Sequence, residues 1–427
     1  MRVLKWLYPG LRVKRYVFLA TAGIGFGMVG AALLWGRQLL RVLERQLQMY
    51  LGAFAGTTVL YYATGMLLLG FGFALVVVAI KGVVHSILEA ITPERESELI
   101  DVLYRRRQLK NGPYIVAIGG GSGLSVLLRG IKRYTSNITA IVTVSDDGGS
   151  SGRLRGEMGM LPPGDIRNCV LALADTEPLL ERLFQYRFKD GELGGHSFGN
   201  LLIAAMTSVT GDFQLAIKEF SKVLAVRGRV LPVTTADVRL RAELEDGSVV
   251  EGETNVSLCG GKVRSLSLIP SDAEALPEVL KAIAEADVVL LGPGSLYTSV
   301  IPNLLVRGIA GALAATSAPK VYICNVMTQP GETDGFTAAE HVSAIERFSS
   351  PRLLDYVVIN SARVRPHLLS KYAAAGSVPV TIDFPRLRQL GVHTVTEDLL
   401  DKGDAVRHDP DKLARRVIQL ISSVKKK

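Results

Sequence analysis

Cysteine is scarce in this chain. The 427 residues hold three, Cys169, Cys259 and Cys324, far apart and with no C-x-x-C pair. That argues against a disulfide framework or a cysteine-built zinc site, and it suits a reducing cytosol. An excess of one charge is also missing from most of the sequence. Residues 113–427 carry 35 Lys and Arg against 34 Asp and Glu. The net charge of +9 therefore sits almost wholly in residues 1–112. A nucleic-acid binder wants a basic face on its folded domain, so nucleic acid is not an expected partner. Internal repeats and low-complexity runs are absent too, which argues against a solenoid.

The first ninety residues do hold long uncharged runs. Val17–Trp35 has no charged side chain, and neither does Gln46–Ile80. About 20 apolar residues span a bilayer core. Two transmembrane helices are predicted, near 17–35 and 57–80. Two such runs fit a cleaved signal peptide poorly. Arg2, Lys5, Arg12, Lys14 and Arg15 precede the first run. Lys81, Arg105, Arg106, Arg107 and Lys110 follow the second. The positive-inside rule puts both flanks in the cytoplasm. Arg37, Arg41, Glu44 and Arg45 in the short loop oppose that rule only slightly. The expected location is the inner (cytoplasmic) membrane, with the large domain facing the cytoplasm.

Residues 92–112 read as a charged linker, with Thr92 and Pro93 as a helix start and Asn111-Gly112-Pro113 as its stop. The expected division is a membrane region 1–91, the linker 92–112 and a domain 113–427. Within that domain apolar strands alternate with helices. Strands are expected at 114–118, 138–145, 288–291, 320–325 and 356–360. Helices are expected at 165–188, 197–209, 216–226, 276–286, 301–315 and 338–348. Residues 238–244 and 249–253 flank Asp246-Gly247 as a hairpin. The pattern predicts an α/β, Rossmann-like, mostly parallel sheet with helices on both faces and a small β-hairpin insert.

Polar, glycine-rich loops follow the strands or open the helices. Gly119, Gly120, Gly121, Ser122 and Gly123 follow the first strand. Bare backbone N–H groups at a helix start favour phosphate. The loop lacks the Walker lysine and the G-x-G-x-x-G spacing. That argues against a triphosphate P-loop and against a nicotinamide-dependent oxidoreductase.

The second strand ends in Asp146, Asp147, Gly148, Gly149 and Ser150. Adjacent carboxylates are costly if buried unpaired. They suit magnesium, which takes one or two carboxylates plus ligand phosphates, or donors on a sugar. Asp147 also suits a general base. Asp165, Arg167 and Asn168 open a helix, where Arg167 offers planar recognition of phosphate. His196 and Asn200 lie in a further glycine-rich helix entry, with His196 suited to phosphate binding or acid catalysis. Gly292, Ser295, Thr298 and Ser299 follow the strand at 288–291. Asn325, Thr328 and Gln329, with Glu332 nearby, follow the strand at 320–325. Simple turns, helix caps and solvated polar loops explain each motif alone. Together, on one rim of a parallel sheet, they read as a cleft for a nucleotide diphosphate or nucleotide sugar.

The ordered motifs GGGSGLS, SDDGGSSGRLR, PPGDIRNC, GHSFGN, GPGSLYTS and CNVMTQPGET resemble the YvcK-like gluconeogenesis factors. These are relatives of the phospholactate transferase CofD. The resemblance spans about residues 113–390. It implies a Rossmann-like fold and binding of a UDP-sugar such as UDP-N-acetylglucosamine. It also implies a role in cell shape and cell-wall growth on gluconeogenic carbon. For the transferase branch it implies magnesium-dependent phospholactyl transfer.

By the family pattern Gly119–Gly123 line the diphosphate and Asp146 and Asp147 face the metal or acceptor. Asn200, Ser295 and Thr298 add ligand contacts. The membrane hairpin departs from the cytosolic form of the family. A cell-wall or carbon-metabolism protein is the expected partner, and a homo-oligomer the expected state.

Overall fold

The computed structural model describes residues 13–35, 57–91, 107–175 and 178–424. The loop charges at 37–45, the linker start at Thr92 and Pro93, and the Lys425–Lys427 tail lie outside these residues. The chain divides into two compact units, Met1–Arg106 and Arg107–Lys427.

In the first unit, helices Val13–Trp35 and Thr57–Ile91 pack side by side. Glycines make the approach close. A Cβ on Gly23 would lie 2.7 Å from Gly72 O, and one on Gly30 would lie 2.8 Å from Gly65 O. Small residues at such contacts are how apolar helices bring backbones together. Arg15–Trp35 and Tyr62–Val83 are each long and apolar enough to cross a bilayer. Their outer surfaces stay apolar and uncovered, with Phe18, Met28, Leu67 and Phe73 all exposed.

The second unit is built on ten strands. They are β1 Ile115–Gly119, β2 Ile138–Val142, β3 Arg229–Pro232, β4 Arg239–Leu244, β5 Val249–Glu251, β6 Val263–Ile269, β7 Val288–Leu291, β8 Lys320–Ile323, β9 Tyr356–Asn360 and β10 His393–Glu397. Seven form a parallel sheet in the order β10-β9-β8-β7-β1-β2-β3. β1, β2 and β7 are buried along their whole length, the mark of strands covered on both faces. Helices flank this sheet. β5, β4 and β6 form a separate antiparallel sheet.

The fold class is the expected one, with differences in detail. The insert is three strands, because β6 completes the hairpin. The edge strands β3 and β10 were not anticipated. β3 opens with an exposed arginine, and β10 has only one buried residue, so neither shows the long apolar run that marks a central strand.

The helix expected at 165–188 is two, Gly164–Leu173 and Pro178–Gln185. The first ends where Ala174 turns extended, and the second opens on Pro178. The helix expected at 301–315 ends at Leu305, where Val306 turns extended, and resumes at Ile309 after Gly308, whose φ of +95° is left-handed and favours glycine. A π-helical turn, Leu296–Val300, precedes it. The acidic loop runs into an unanticipated helix, Gly149–Met158.

Candidate functional site

The strand order reverses beside β1. The chain steps from β1 to β2 and β3 on one side, and from β7 to β10 on the other. The loops after β1 and β7 meet at this reversal, at the carboxyl ends of the strands, where open α/β sheets bind their ligands. Gly121 begins the helix Gly121–Ile131 at φ +65°. A Cβ on Gly123 would lie 2.5 Å from Pro293 O, so the two loops touch backbone to backbone only because no side chain intervenes.

Asn303 ties them from below. Its amide donates to Gly119 O at 3.2 Å and to Ser299 O at 2.8 Å. Asn325 holds the rim of the β7 loop. It accepts from Gly294 N–H at 3.2 Å and donates to Gly294 O at 2.8 Å.

These loops enclose a cleft of about 660 Å³. Gly121, Ser122, Gly123, Asp146, Asp165, Ser295, Thr298, Ser299, Asn325, Thr328 and Gln329 line it. Gly119, Gly120 and Gly292 shape its loops without lining it. The lining mixes these polar groups with Val326, Met327, Pro330 and Val406, and with Tyr372, Arg407 and His408. Tyr372 is braced by Val406, whose N–H donates to its hydroxyl at 3.1 Å. Asp401 accepts from Arg407 Nε at 2.8 Å. Burial drives the pKa of His408 down to about 4.

Three carboxylates, of Asp146, Asp165 and Glu253, line the cleft. Asp165 is pushed up to about 6 by loss of solvent and by Asp146, against the Gly121 N–H and Arg167. Glu253 is pushed up to about 8 by loss of solvent and then by Asp146, Asp147, Asp165 and Glu332. Glu332 is buried at 4% exposure, which raises its pKa. It gathers three segments. Thr298 and Ser257 hydroxyls each donate at 3.0 Å, Gln329 Nε2 at 2.9 Å and Tyr297 N–H at 3.3 Å.

Asp147 is placed differently from the expectation of a metal ligand or base. Its carboxylate accepts from Glu253 N–H at 3.0 Å, Thr254 N–H at 2.9 Å and the Thr254 hydroxyl at 2.7 Å. It holds the start of the short helix Glu253–Leu258. Asp146, which lines the cleft, accepts from Gly148 N–H at 3.0 Å.

Among the described residues no group of three or more His, Cys, Asp and Glu side chains has the arrangement of a metal site. The donor chemistry suits magnesium only as an ion completed by ligand phosphates and water, with Asp146 as the protein's contribution.

Ser150, Arg167, Asn168, His196 and Asn200 come together beside the cleft, in a network of their own. Ser150 Oγ lies 3.1 Å from His196 Nδ1 and accepts from Asn200 Nδ2 at 3.1 Å. Arg167 donates to Asn200 Oδ1 and to Asn168 Oδ1, each at 2.9 Å, and to Ser197 Oγ. Burial, Arg153 and Arg187 lower the pKa of His196 against the pull of Glu157. Gly149 turns into its helix at φ +48°. None of these residues lines the cleft.

Sequence reasoning missed Glu253, Asn303, Tyr372 and Arg407. Glu253 lies in the insert, and the last two lie in the C-terminal segment, none of them in a glycine-rich motif. Glu332 was visible in its motif, but its role as a hub was not.

Comparisons with known proteins place the chain in a family and match its fold. The family model described as 2-phospho-L-lactate transferase CofD matches residues 115–400. A Nostoc sp. protein named "Putative gluconeogenesis factor" is 50% identical over 419 residues, covering 97% of this chain and 92% of its own. The gluconeogenesis factor of Bacillus subtilis is 50% identical over 311 residues, 72% of this chain and 98% of its own. The crystal structure of a UPF0052 family member from Bacillus halodurans superposes with a TM-score of 0.70 at 49% identity. It covers 72% of this chain and 99% of its own. This chain belongs to the CofD family, among its YvcK-like gluconeogenesis factors.

Proposed function

We propose that the cleft binds a nucleotide sugar of the UDP-N-acetylglucosamine type, and that the protein regulates carbon flux into the cell wall. In this reading it supports cell shape during gluconeogenic growth. The observation that carries the proposal is the cleft itself. It is lined by glycine N–H groups at a helix start, hydroxyls and amides, which suit a diphosphate, and by Tyr372, Met327 and Val406 with Arg407, which suit a ring and its polar edges. The names of the relatives support the metabolic setting.

Magnesium, when bound with the ligand, would neutralise the diphosphate, with Asp146 as its protein oxygen donor. Gln329, Ser295 and Thr298 would orient the ligand. Ser295 Oγ donates to Gln329 Oε1 at 2.7 Å, so a ligand that takes either partner disturbs the Glu332 hub. The hub reaches the insert through Ser257, which gives ligand occupancy a route to a protein partner. A shift of that kind requires unequal affinity for the two states.

The two N-terminal helices would tether the protein to the inner membrane with this cleft in the cytoplasm. A cell-wall or carbon-metabolism protein would sense the insert, in a homo-oligomer. Titration of the detergent-solubilised full chain with UDP-N-acetylglucosamine, with and without magnesium, tests the ligand. Saturable binding without turnover is the expected result, and no binding sinks the reading. Alkaline carbonate extraction of membranes tests the tether, and release of the chain would remove it.

A second reading is magnesium-dependent phospholactyl transfer. Glu253 lines the cleft, and its raised pKa makes it a stronger proton acceptor than an ordinary carboxylate once it is ionised. Release of guanosine monophosphate from a phospholactyl–guanosine donor in the presence of a deazaflavin acceptor would favour it.

A further inference from the structure

A second cavity of about 520 Å³ opens at the carboxyl ends of β9 and β10. Its walls are mostly apolar, with Val326, Val364, Leu369, Val380, Ile382 and Phe384 among them. Asn360 is largely engaged by nearby backbone groups. Its side chain bonds Ala362 O, Ala362 N–H and Leu399 N–H. Arg363, in contrast, lines the cavity, and no ion pair or hydrogen bond engages its guanidinium among the described residues. Ser361 and Thr396 line it too. An apolar cavity of this size with few polar groups is the usual form of a small-molecule site. One free guanidinium, and no glycine-rich helix start, matches a single carboxylate or phosphate group rather than a diphosphate.

The cavity shares a wall with the nucleotide cleft. Residues 377–380 run along residues 326–328. Val380 N–H donates to Val326 O at 3.1 Å, Thr328 N–H to Val378 O at 2.7 Å, and Val378 N–H to the Thr328 hydroxyl at 3.0 Å. Met327 and Pro379 form a β-bridge. Val326 lines both spaces, while Met327, Thr328 and Ser377 line the cleft, and Pro379 and Val380 line the second cavity. A ligand on one side bears directly on residues that contact a ligand on the other.

We propose that this cavity is a second, regulatory site for a small apolar molecule with one anionic group, carboxylate or phosphate, held by Arg363. Its occupancy adjusts nucleotide-sugar affinity through the shared wall. The regulatory half rests on the nucleotide-sugar reading; the existence of the site does not.

The test titrates the full chain in detergent with phenyl phosphate and, separately, with phenylacetate, without nucleotide. At least one should bind saturably in the millimolar range or tighter. Arg363→Ala, at an exposed position, should weaken it roughly tenfold, and Phe384→Ala should weaken it too. The stronger of the two probes identifies the anionic group. No saturable binding, or binding indifferent to Arg363→Ala, overturns the site.

UDP-N-acetylglucosamine is then titrated with and without the saturating probe. A change in its affinity that disappears in Arg363→Ala supports the coupling, and by reciprocity the nucleotide must change probe affinity by the same factor. Independent binding overturns the coupling. If the probe binds through Arg363 and the nucleotide sugar does not bind at all, the cleft reading fails and the second site stands.

Discussion

Asp147 grips Thr254 twice, through the backbone N–H at 2.9 Å and the hydroxyl at 2.7 Å. This joins the end of β2 to the insert and fixes which of two adjacent carboxylates is left to the cleft. Asp147→Ala removes the cap of the Glu253–Leu258 helix, at a cost of about 1 kcal/mol. Nucleotide-sugar affinity should fall by a similar factor with and without magnesium. Asp146→Ala should instead weaken binding mainly when magnesium is present. Calorimetric titration of both variants across magnesium concentrations checks the contrast, and a purely magnesium-dependent loss in Asp147→Ala would return that residue to the metal.

Glu332→Ala should be among the more destabilising single changes near the cleft. It strips a buried acceptor from Thr298, Ser257, Gln329 and Tyr297 N–H. Leaving several buried donors unpaired costs on the order of 3 kcal/mol. Denaturant unfolding of the detergent-solubilised chain would show a lower midpoint. Glu332→Gln keeps an acceptor oxygen and should lose less.

Protonation of Glu253 links pH to stability. Its pKa rises from 4.5 to about 8 on folding. Between those values the folded state binds more protons than the unfolded state. Its stabilising contribution is therefore full below pH 4.5 and is lost as pH rises through about 8. Asp165, raised from 3.8 to about 6, adds the same sign over a lower window. Unfolding midpoints should fall from pH 5 to pH 8, with a shallower slope in Glu253→Gln. Without magnesium, affinity for a diphosphate should also fall over the upper part of this range, because a second negative charge develops beside it.

Gly123→Ala tests the contact between the β1 and β7 loops. The new methyl would lie 2.5 Å from Pro293 O and 2.8 Å from Pro293 C. Both are backbone atoms, which cannot swing aside as a side-chain tip can. The loops must separate, at about 1–3 kcal/mol, and nucleotide-sugar affinity should drop at least tenfold. Gly156→Ala is the control, because nothing lies within 4 Å of its added Cβ.

Much of the site was legible before any fold was known. Polar, glycine-rich loops after apolar strands mark the carboxyl rim of a parallel sheet, and half of the expected site residues line the cleft. The two carboxylates of the acidic loop could not be told apart, because neighbours in sequence have equal claims on a metal. What separates them is Thr254, more than a hundred residues away. The Arg167, His196 and Asn200 motifs looked like ligand contacts for the same reason that they form a network. Their donors and acceptors satisfy each other as readily as they would satisfy a phosphate.

The sequence by itself determined the elements and the chemistry on offer. Long uncharged runs set the two N-terminal helices, buried β-branched runs set the central strands, and glycine loops set the rim. Those features are local, governed by periodicity and backbone freedom within a few residues. Tertiary structure alone decided the order of the strands, and hence where the crevice opens. It also decided that Glu332 binds three segments, that Tyr372 and Arg407 face the cleft, and that Arg363 overlooks a second cavity. Each depends on side chains far apart in the chain meeting in a water-poor space, where unpaired charge is costly and every partner counts.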